Sequence, residues 1–186
     1  MKTIVFLLEE LSAQDALKGF LPAILPIDIR AEFLVFEGKQ DLEKRMVRLI
    51  RRWQIPDSVF IVLRDQDSGD CRVIKEKLSA LCREAGKHAA VVRIACRTLE
   101  SWFVGDWDAV SEAFHQPKLA TLKRKAIYQN PDHLGDPVTE LRKVIPDYQK
   151  RDGARRISRH LDMTRNRSRS FQVFIKAIKN MCGAAQ

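Results

Sequence analysis

Two aspartates stand where they could bind a divalent metal ion. Asp65 and Asp67 closely follow the apolar segment 58–63, which has the composition of a buried strand. Side chains two residues apart share one face of an extended backbone, so at a strand end both carboxylates can converge on one ion. Mg²⁺ prefers oxygen ligands and keeps several waters, so a few carboxylates suffice. We therefore predict a Mg²⁺ or Mn²⁺ site here, although aspartates also form turns after strands.

Carboxylates also follow the three other apolar segments of the first half of the chain. Glu9 and Glu10 follow the first segment, Glu37 follows the second and Glu100 follows the fourth. Ligand sites of open parallel sheets lie at the carboxyl ends of the strands, and a bound cation would relieve the repulsion between clustered acids. Glu100 is either a second ligand in a two-metal phosphoryl-transfer site or a first-turn glutamate favoured by the helix dipole.

Three further residues flank this acidic region. Asp70 precedes a helical pattern, so it either caps that helix, which is the favoured interpretation, or adds a metal ligand. Arg64 and Arg97 stand beside the carboxylates in the sequence. Either guanidinium could neutralise the site or bind a phosphate.

Strands and helices that would position these residues alternate along the chain. The predicted strands cover 3–8, 31–36, 58–63 and 89–96, and the predicted helices cover 13–21, 41–53 and 70–85. Ser12 is expected to cap the first helix. Apolar residues on both faces of the strands predict a four-stranded, mostly parallel sheet flanked by helices. This α/β core covers residues 1–115, and a helical C-terminal extension over 116–186 packs on it.

The basic residues are concentrated in that extension. Residues 1–117 carry 17 Lys and Arg against 18 Asp and Glu, a net charge of −1, whereas residues 118–186 carry 16 against 6, a net charge of +10. Such asymmetry favours a polyanion such as nucleic acid as the partner over an unpartnered basic surface.

Two clusters supply the predicted phosphate contacts. Lys150, Arg155 and Arg156 lie in a predicted loop and helix start, where a glycine would free backbone amides for an anion. Arg167 and Arg169 form the second cluster, which precedes a predicted last helix over 171–181. The alternative is that this loop is only an exposed basic segment, with Ser170 as the N-cap of that helix.

Six stretches of the chain carry a resemblance to a known family. They cover 9–13, 63–71, 93–103, 128–132, 150–155 and 166–171, and in them the chain resembles the bacterial domain-of-unknown-function family numbered 4276. An acid after the first strand and D-x-D after the third also resemble the Toprim pattern. That resemblance implies adjacent first and third strands, with Glu9 or Glu10 against Asp65 and Asp67. Because residues 37–41 resemble the Toprim E-G-x-x-D motif, Glu37 stays an alternative to the preferred Glu9.

The resemblance also implies a function. The family is similar to Toprim nucleases and is often met beside ATPases of the ABC or SMC type, including in phage-defence operons. It implies a Mg²⁺-dependent nuclease for DNA or RNA, acting as the effector partner of such an ATPase in antiphage defence. A non-catalytic subunit that binds nucleic acid or the ATPase, and another metal-dependent phosphoryl-transfer enzyme, remain alternatives. A homo-oligomeric state is left open.

Composition argues against membrane and zinc-binding classes. No apolar run is long enough to span a bilayer, and two carboxylates follow the short apolar N-terminal run where a signal peptide would have small residues. The four cysteines are scattered without a C-x-x-C pair. We therefore expect no membrane, no zinc and a reducing, cytoplasmic location.

Overall fold

Four parallel strands form the sheet, as the sequence predicted. The computed structural model describes residues 1–183 and contains β1 (Lys2–Leu8), β2 (Ile29–Val35), β3 (Ser58–Asp65) and β4 (Val91–Ala95). The strand order is β2-β1-β3-β4, and all three pairings are parallel. The central strands β1 and β3 have almost continuous buried apolar residues, which explains why helices cover both faces.

Eight α-helices surround this sheet within the described part of the chain. They are α1 (Leu11–Phe20), α2 (Lys39–Arg51), α3 (Cys71–Glu84), α4 (Glu100–Val104), α5 (Trp107–Phe114), α6 (Pro137–Val144), α7 (Lys150–Ile157) and α8 (Arg169–Met181). Short 3₁₀ segments cover Leu21–Ala23, Pro117–Arg124, Ala126–Tyr128, Pro131–His133 and Ser158–His160. One face of the sheet packs on α2 and α3, and the other packs on α1, α4, α7 and α8.

The C-terminal helices share the core of the sheet. Trp102 of α4 lies between Phe171 and Phe174 of α8, with ring centroids 5.3 and 5.1 Å apart, and Phe20 of α1 joins the same cluster. Burying each of these side chains stabilises the fold by roughly 1.5–3 kcal/mol. Trp102 and the adjacent Phe103 are fully buried and belong to this core.

Three helix boundaries differ from the prediction. α1 begins at Leu11, so Ser12 lies in its first turn and does not cap it. α7 already begins at Lys150, so the first basic cluster is helical throughout. α8 begins at Arg169, and Ser168 is its N-cap through a 3.1 Å hydrogen bond from Phe171 N. In each case the competing cap is only one or two residues away, and packing of the helix decides between them.

No helix within residues 1–183 combines the length and the apolar character needed to cross a bilayer.

Candidate metal centre

The strand order places the first and third strands side by side at the acidic edge. β1 pairs with β3, and the Glu9 carboxylate that follows β1 accepts a hydrogen bond from Asp65 N at 3.2 Å. Glu37 follows the edge strand β2, is exposed, and is separated from β3 by β1. The structure therefore places Glu9, and not Glu37, beside Asp65.

Asp65 lies on the sheet face covered by α1, α4 and α7. It continues the alternation of Ile61 and Leu63, both of which belong to the core on that face. Burial raises the pKa of the Asp65 carboxyl well above 3.8, and the negative charges of Glu100, Glu10 and Glu9 raise it further. Folding therefore brings together carboxylates that destabilise one another when ionised.

Glu100 is the most deeply buried of these acids. Its exposed fraction is 0%, and neither carboxylate oxygen has a hydrogen-bond partner among the described residues. Burial raises the pKa of the Glu100 carboxyl, while the Lys150 ammonium, the nearby Thr98 hydroxyl and the backbone amide of Glu100 oppose that shift without forming a hydrogen bond of normal geometry. Buried polar groups are almost always paired, so an unpaired buried carboxylate indicates a site that could bind a cation.

Lys150 supplies the positive charge within this cluster. Its Nζ lies 3.4 Å from Glu10 Oε1. Burial alone would lower the pKa of the Lys150 ammonium, but the charges of Glu100, Glu10 and Asp65 outweigh burial and raise it. Lys150 was predicted as a phosphate contact from the basic cluster in the sequence. The structure places it among carboxylates 50 to 140 residues away in the chain, which no local pattern could have indicated.

Tyr148 is a member of the site that sequence reasoning missed. Its hydroxyl is buried without a hydrogen-bond partner among the described residues, and burial together with the Glu100 charge raises its pKa. Gly153 in α7 leaves the space for this ring, because a Cβ there would lie 2.2 Å from Tyr148 Cε2. The glycine was expected to free backbone amides in a loop. Instead its amide donates to Gln149 O within the helix, at 2.8 Å.

The structure divides the two aspartates of the D-x-D motif between different partners. Asp67 has a φ of 54°, in the left-handed region, and its carboxylate pairs with Lys39 Nζ at 2.9 Å. Its amide donates to Arg97 O at 2.7 Å. The prediction that both carboxylates share one face assumed an extended backbone through Asp67, whereas β3 ends at Asp65.

Asp70 and Arg64 have structural partners. Asp70 caps α3 by accepting hydrogen bonds from Arg72 N at 2.7 Å and Val73 N at 3.2 Å, which confirms the favoured interpretation. Arg64 is buried on the opposite sheet face, where its Nη1 donates to Glu43 Oε1 at 2.7 Å. Its Nε lies 3.8 Å from Glu9 Oε2. Arg64 is therefore held by Glu43, adds positive charge near Glu9, and has little freedom to bind a phosphate.

The predicted phosphate contacts are also dispersed. Arg155 pairs with Asp15 at 3.1 Å, and Arg156 donates to Ala113 O at 2.9 Å. Arg167 donates to a backbone carbonyl in the Pro117–Arg124 segment. These three side chains are held by the protein itself.

Arg97 and Arg169 are brought together. They line a cleft of about 520 Å³ beside the end of β4, next to Gln66. Neither forms a salt bridge with a described carboxylate within 4.0 Å. The two predicted phosphate contacts that remain unpaired therefore lie at the same edge as the carboxylates.

The carboxylates fit a cation with few protein ligands. No group of three or more His, Cys, Asp or Glu side chains within residues 1–183 is arranged to hold a metal. Mg²⁺ commonly uses one or two carboxylates and fills the rest of its octahedron with water and substrate oxygens. Glu100, whose carboxylate oxygens are unpaired, and Asp65, whose pKa is raised, are two such carboxylates. Glu9 and Glu10 complete the acidic surroundings.

The fold and this edge define an α/β protein with an all-parallel sheet and a carboxylate cluster at its strand ends. A family model described as "Domain of unknown function (DUF4276)" matches residues 8–179, and the chain belongs to that family. The matched range contains every site residue predicted from the sequence. No curated protein and no solved structure matches the chain.

Proposed function

We propose that this protein is a Mg²⁺- or Mn²⁺-dependent, Toprim-like nuclease that acts on DNA or RNA. The observation that carries the proposal is Glu100, a fully buried carboxylate with two unpaired oxygens, close enough to Asp65 to raise the pKa of that carboxyl. Leaving a buried polar group unpaired costs about 1–3 kcal/mol. A divalent cation would remove both that cost and the repulsion between the acids.

The residues of the site have separable roles in this proposal. Asp65 and Glu100 would hold the cation, which when bound supplies Lewis-acid stabilisation of phosphoryl oxygens and a more acidic water. Glu9, oriented by its hydrogen bond from Asp65 N, adds negative charge to the same edge. Lys150 can compensate the acids before the cation binds and can then donate to a phosphate oxygen.

Cleavage of defined substrates tests this proposal. We expect Asp65→Asn and Glu100→Gln to abolish Mg²⁺- or Mn²⁺-dependent cleavage of labelled DNA and RNA while circular dichroism shows an intact fold. Glu84→Gln, an exposed carboxylate at the end of α3, is the matched control and should cut like the parent. If both site variants cut as well as the parent, the carboxylates are not the metal ligands of a nuclease.

The proposal includes an ATPase partner and a place in antiphage defence in the cytoplasm. These parts rest on the resemblance to a family often met beside ABC- or SMC-type ATPases. The cleavage assays are therefore run with and without an ABC- or SMC-type ATPase of the kind met beside this family, and with and without ATP. Co-purification without any cleavage, in the parent as in the variants, would favour the non-catalytic subunit.

A further inference from the structure

A continuous cleft runs along the outer edge of β4, between α3 and α8. Its first part, of about 310 Å³, is lined by Arg72 and Lys75 of α3, Arg93 of β4 and Arg169 of α8. The second part is the cleft of about 520 Å³ that Arg97 lines, and the two parts share Arg169 and other lining residues. The cleft thus reaches from the side of the sheet to the carboxyl ends of β3 and β4. We call it the β4 cleft.

The cations of the β4 cleft have no carboxylate partners. None of its five Lys and Arg side chains forms a salt bridge within 4.0 Å to any described residue; they are Arg72, Lys75, Arg93, Arg97 and Arg169. Most arginines elsewhere near the site, such as Arg64 and Arg155, are paired with acids. Five converging, uncompensated cations repel one another, so the cleft is prepared for an anion.

Arg93 is the cleft cation whose unused hydrogen-bond donors are clearest. It is only partly exposed, its Nε has no hydrogen-bond partner among the described residues, and burial lowers the pKa of its guanidinium. The sole hydrogen bond that its side chain donates within residues 1–183 goes to the neighbouring Val92 O, at 2.9 Å. A guanidinium with unused donors in a cleft wall suits bidentate binding of a phosphate.

The carboxylate among the cleft residues can offset only one of these five positive charges. Asp132 is buried and accepts hydrogen bonds from Ser168 Oγ at 2.6 Å and from Ser170 N at 2.7 Å. Both oxygens are therefore used to hold the first turn of α8. The structure positions Arg169 through this contact and leaves its charge available.

We propose that the β4 cleft binds the backbone of a single-stranded nucleic acid and leads it to the acidic edge. This inference rests on the proposed nuclease function for its direction, because the cleft ends at Arg97 and at Gln66, the residue that follows Asp65 in the chain. Grooves lined by cations that follow the backbone are typical of single-strand binding. The aliphatic side chains Ile94 and Val173 in its wall offer contact to sugars and bases.

An acidic protein segment fits this path less well. Its carboxylates are spaced irregularly on flexible side chains, whereas the phosphates of a nucleic-acid strand recur at every nucleotide and can meet cations along the whole cleft. The two predicted phosphate contacts that stay unpaired, Arg97 and Arg169, lie at the junction of the two parts of the cleft.

Binding measured without metal tests the cleft separately from catalysis. Fluorescence anisotropy of a short labelled single-stranded oligonucleotide is recorded in EDTA for the full chain and for Arg72→Glu combined with Arg169→Glu. Both side chains are exposed, so the fold should tolerate the change. The matched control is Arg48→Glu combined with Arg52→Glu, which changes the net charge equally on exposed positions in and after α2.

We expect the cleft variant to bind about tenfold more weakly or worse at low salt, and the control to bind like the parent. The salt dependence should weaken by about 0.7 in the slope of log affinity against log salt for each lost phosphate contact. Unchanged binding by the cleft variant, or an equal loss in the control, would overturn the inference. So would tighter binding of polyglutamate than of the oligonucleotide, if that binding is lost in the cleft variant.

The two proposals fail in different ways. If the cleft variant loses binding in EDTA but the parent cuts nothing with Mg²⁺ or Mn²⁺, the cleft stands and the nuclease does not. If Asp65→Asn abolishes cleavage while the cleft variant binds and cuts like the parent, the nuclease stands and the cleft does not.

Discussion

Replacing Glu100 by glutamine should stabilise the protein while it removes metal binding. The ionised carboxylate is fully buried with two unpaired oxygens, and its pKa is raised. Its charge therefore destabilises the folded state at neutral pH even after the attraction of Lys150. Glutamine keeps the shape and removes the charge.

The size of the effect follows from the charge, because glutamine is itself polar and keeps the same unpaired positions. A rise of one in the folded pKa corresponds to about 1.4 kcal/mol, so removal of the charge should give a gain of that order. For a chain of this length, 1 kcal/mol shifts Tm by about 2–4 °C. The expected gain is measured by thermal unfolding at pH 7 in EDTA, with Glu84→Gln as the exposed control, which should stay within about 0.5 kcal/mol of the parent.

The pH dependence gives a second, independent signature. Because the folded pKa of Glu100 lies above its ordinary value of 4.5, the native state binds more protons than the unfolded state in that interval. The free energy of unfolding of the parent therefore falls as pH rises from about 4.5 through the folded pKa, and Glu100→Gln lacks this contribution. The stability advantage of the variant should disappear when the pH is lowered below the ordinary value.

Metal addition should reverse the order. If the proposed site binds Mn²⁺ or Mg²⁺ in the folded state alone, the Tm of the parent should rise with metal concentration, whereas the variant should respond weakly. The reasoning is refuted if Glu100→Gln is less stable than the parent at pH 7 in EDTA. That result would mean that the carboxylate is satisfied in the folded protein without a metal ion.

Two further predictions concern the fold around the site. Gly153→Ala places a methyl group against the buried Tyr148 ring, 2.2 Å from Cε2, so overpacking should outweigh helix propensity and cost about 1–2 kcal/mol in urea unfolding. Gly135→Ala, with nothing within 4 Å, is its control and should be neutral; equal losses would contradict the argument. Asp106→Ala removes a buried carboxylate that lies 2.8 Å from Arg165 Nε. The free energy of unfolding should fall by about 3 kcal/mol, the lower end of the range for a broken buried pair, because Arg165 can turn to solvent. A loss below 1 kcal/mol would show that the pair is dispensable.

Much of the fold can be predicted from local sequence patterns. Periodicity places all four strands and the helices between them to within a few residues, because apolar spacing and turn residues act over short distances. The sequence also predicts the cap at Asp70, which the structure confirms. Helix ends were less certain, since Ser168 and Ser170 are both able to cap α8.

The site needed more than local information. The sequence predicts that acids end four strands and therefore meet at one edge, and the strand order then makes Glu9 the neighbour of Asp65. It does not reveal that Asp67 adopts a positive φ and pairs with Lys39, while its charge still raises the pKa of Glu9. A single backbone rotation after β3 decides that outcome, and the residue type permits either conformation.

The sequence by itself therefore determined the elements, the parallel sheet and the presence of carboxylates at its edge. Tertiary structure decided which acids share a cluster, which cations are already paired, and which stay free. Lys150 joins the acids because α7 packs on α1, and Arg93 lies in a cleft because α8 packs near β4. Such contacts join residues far apart in the chain, so they depend on how whole helices pack and leave no periodic signal in the sequence.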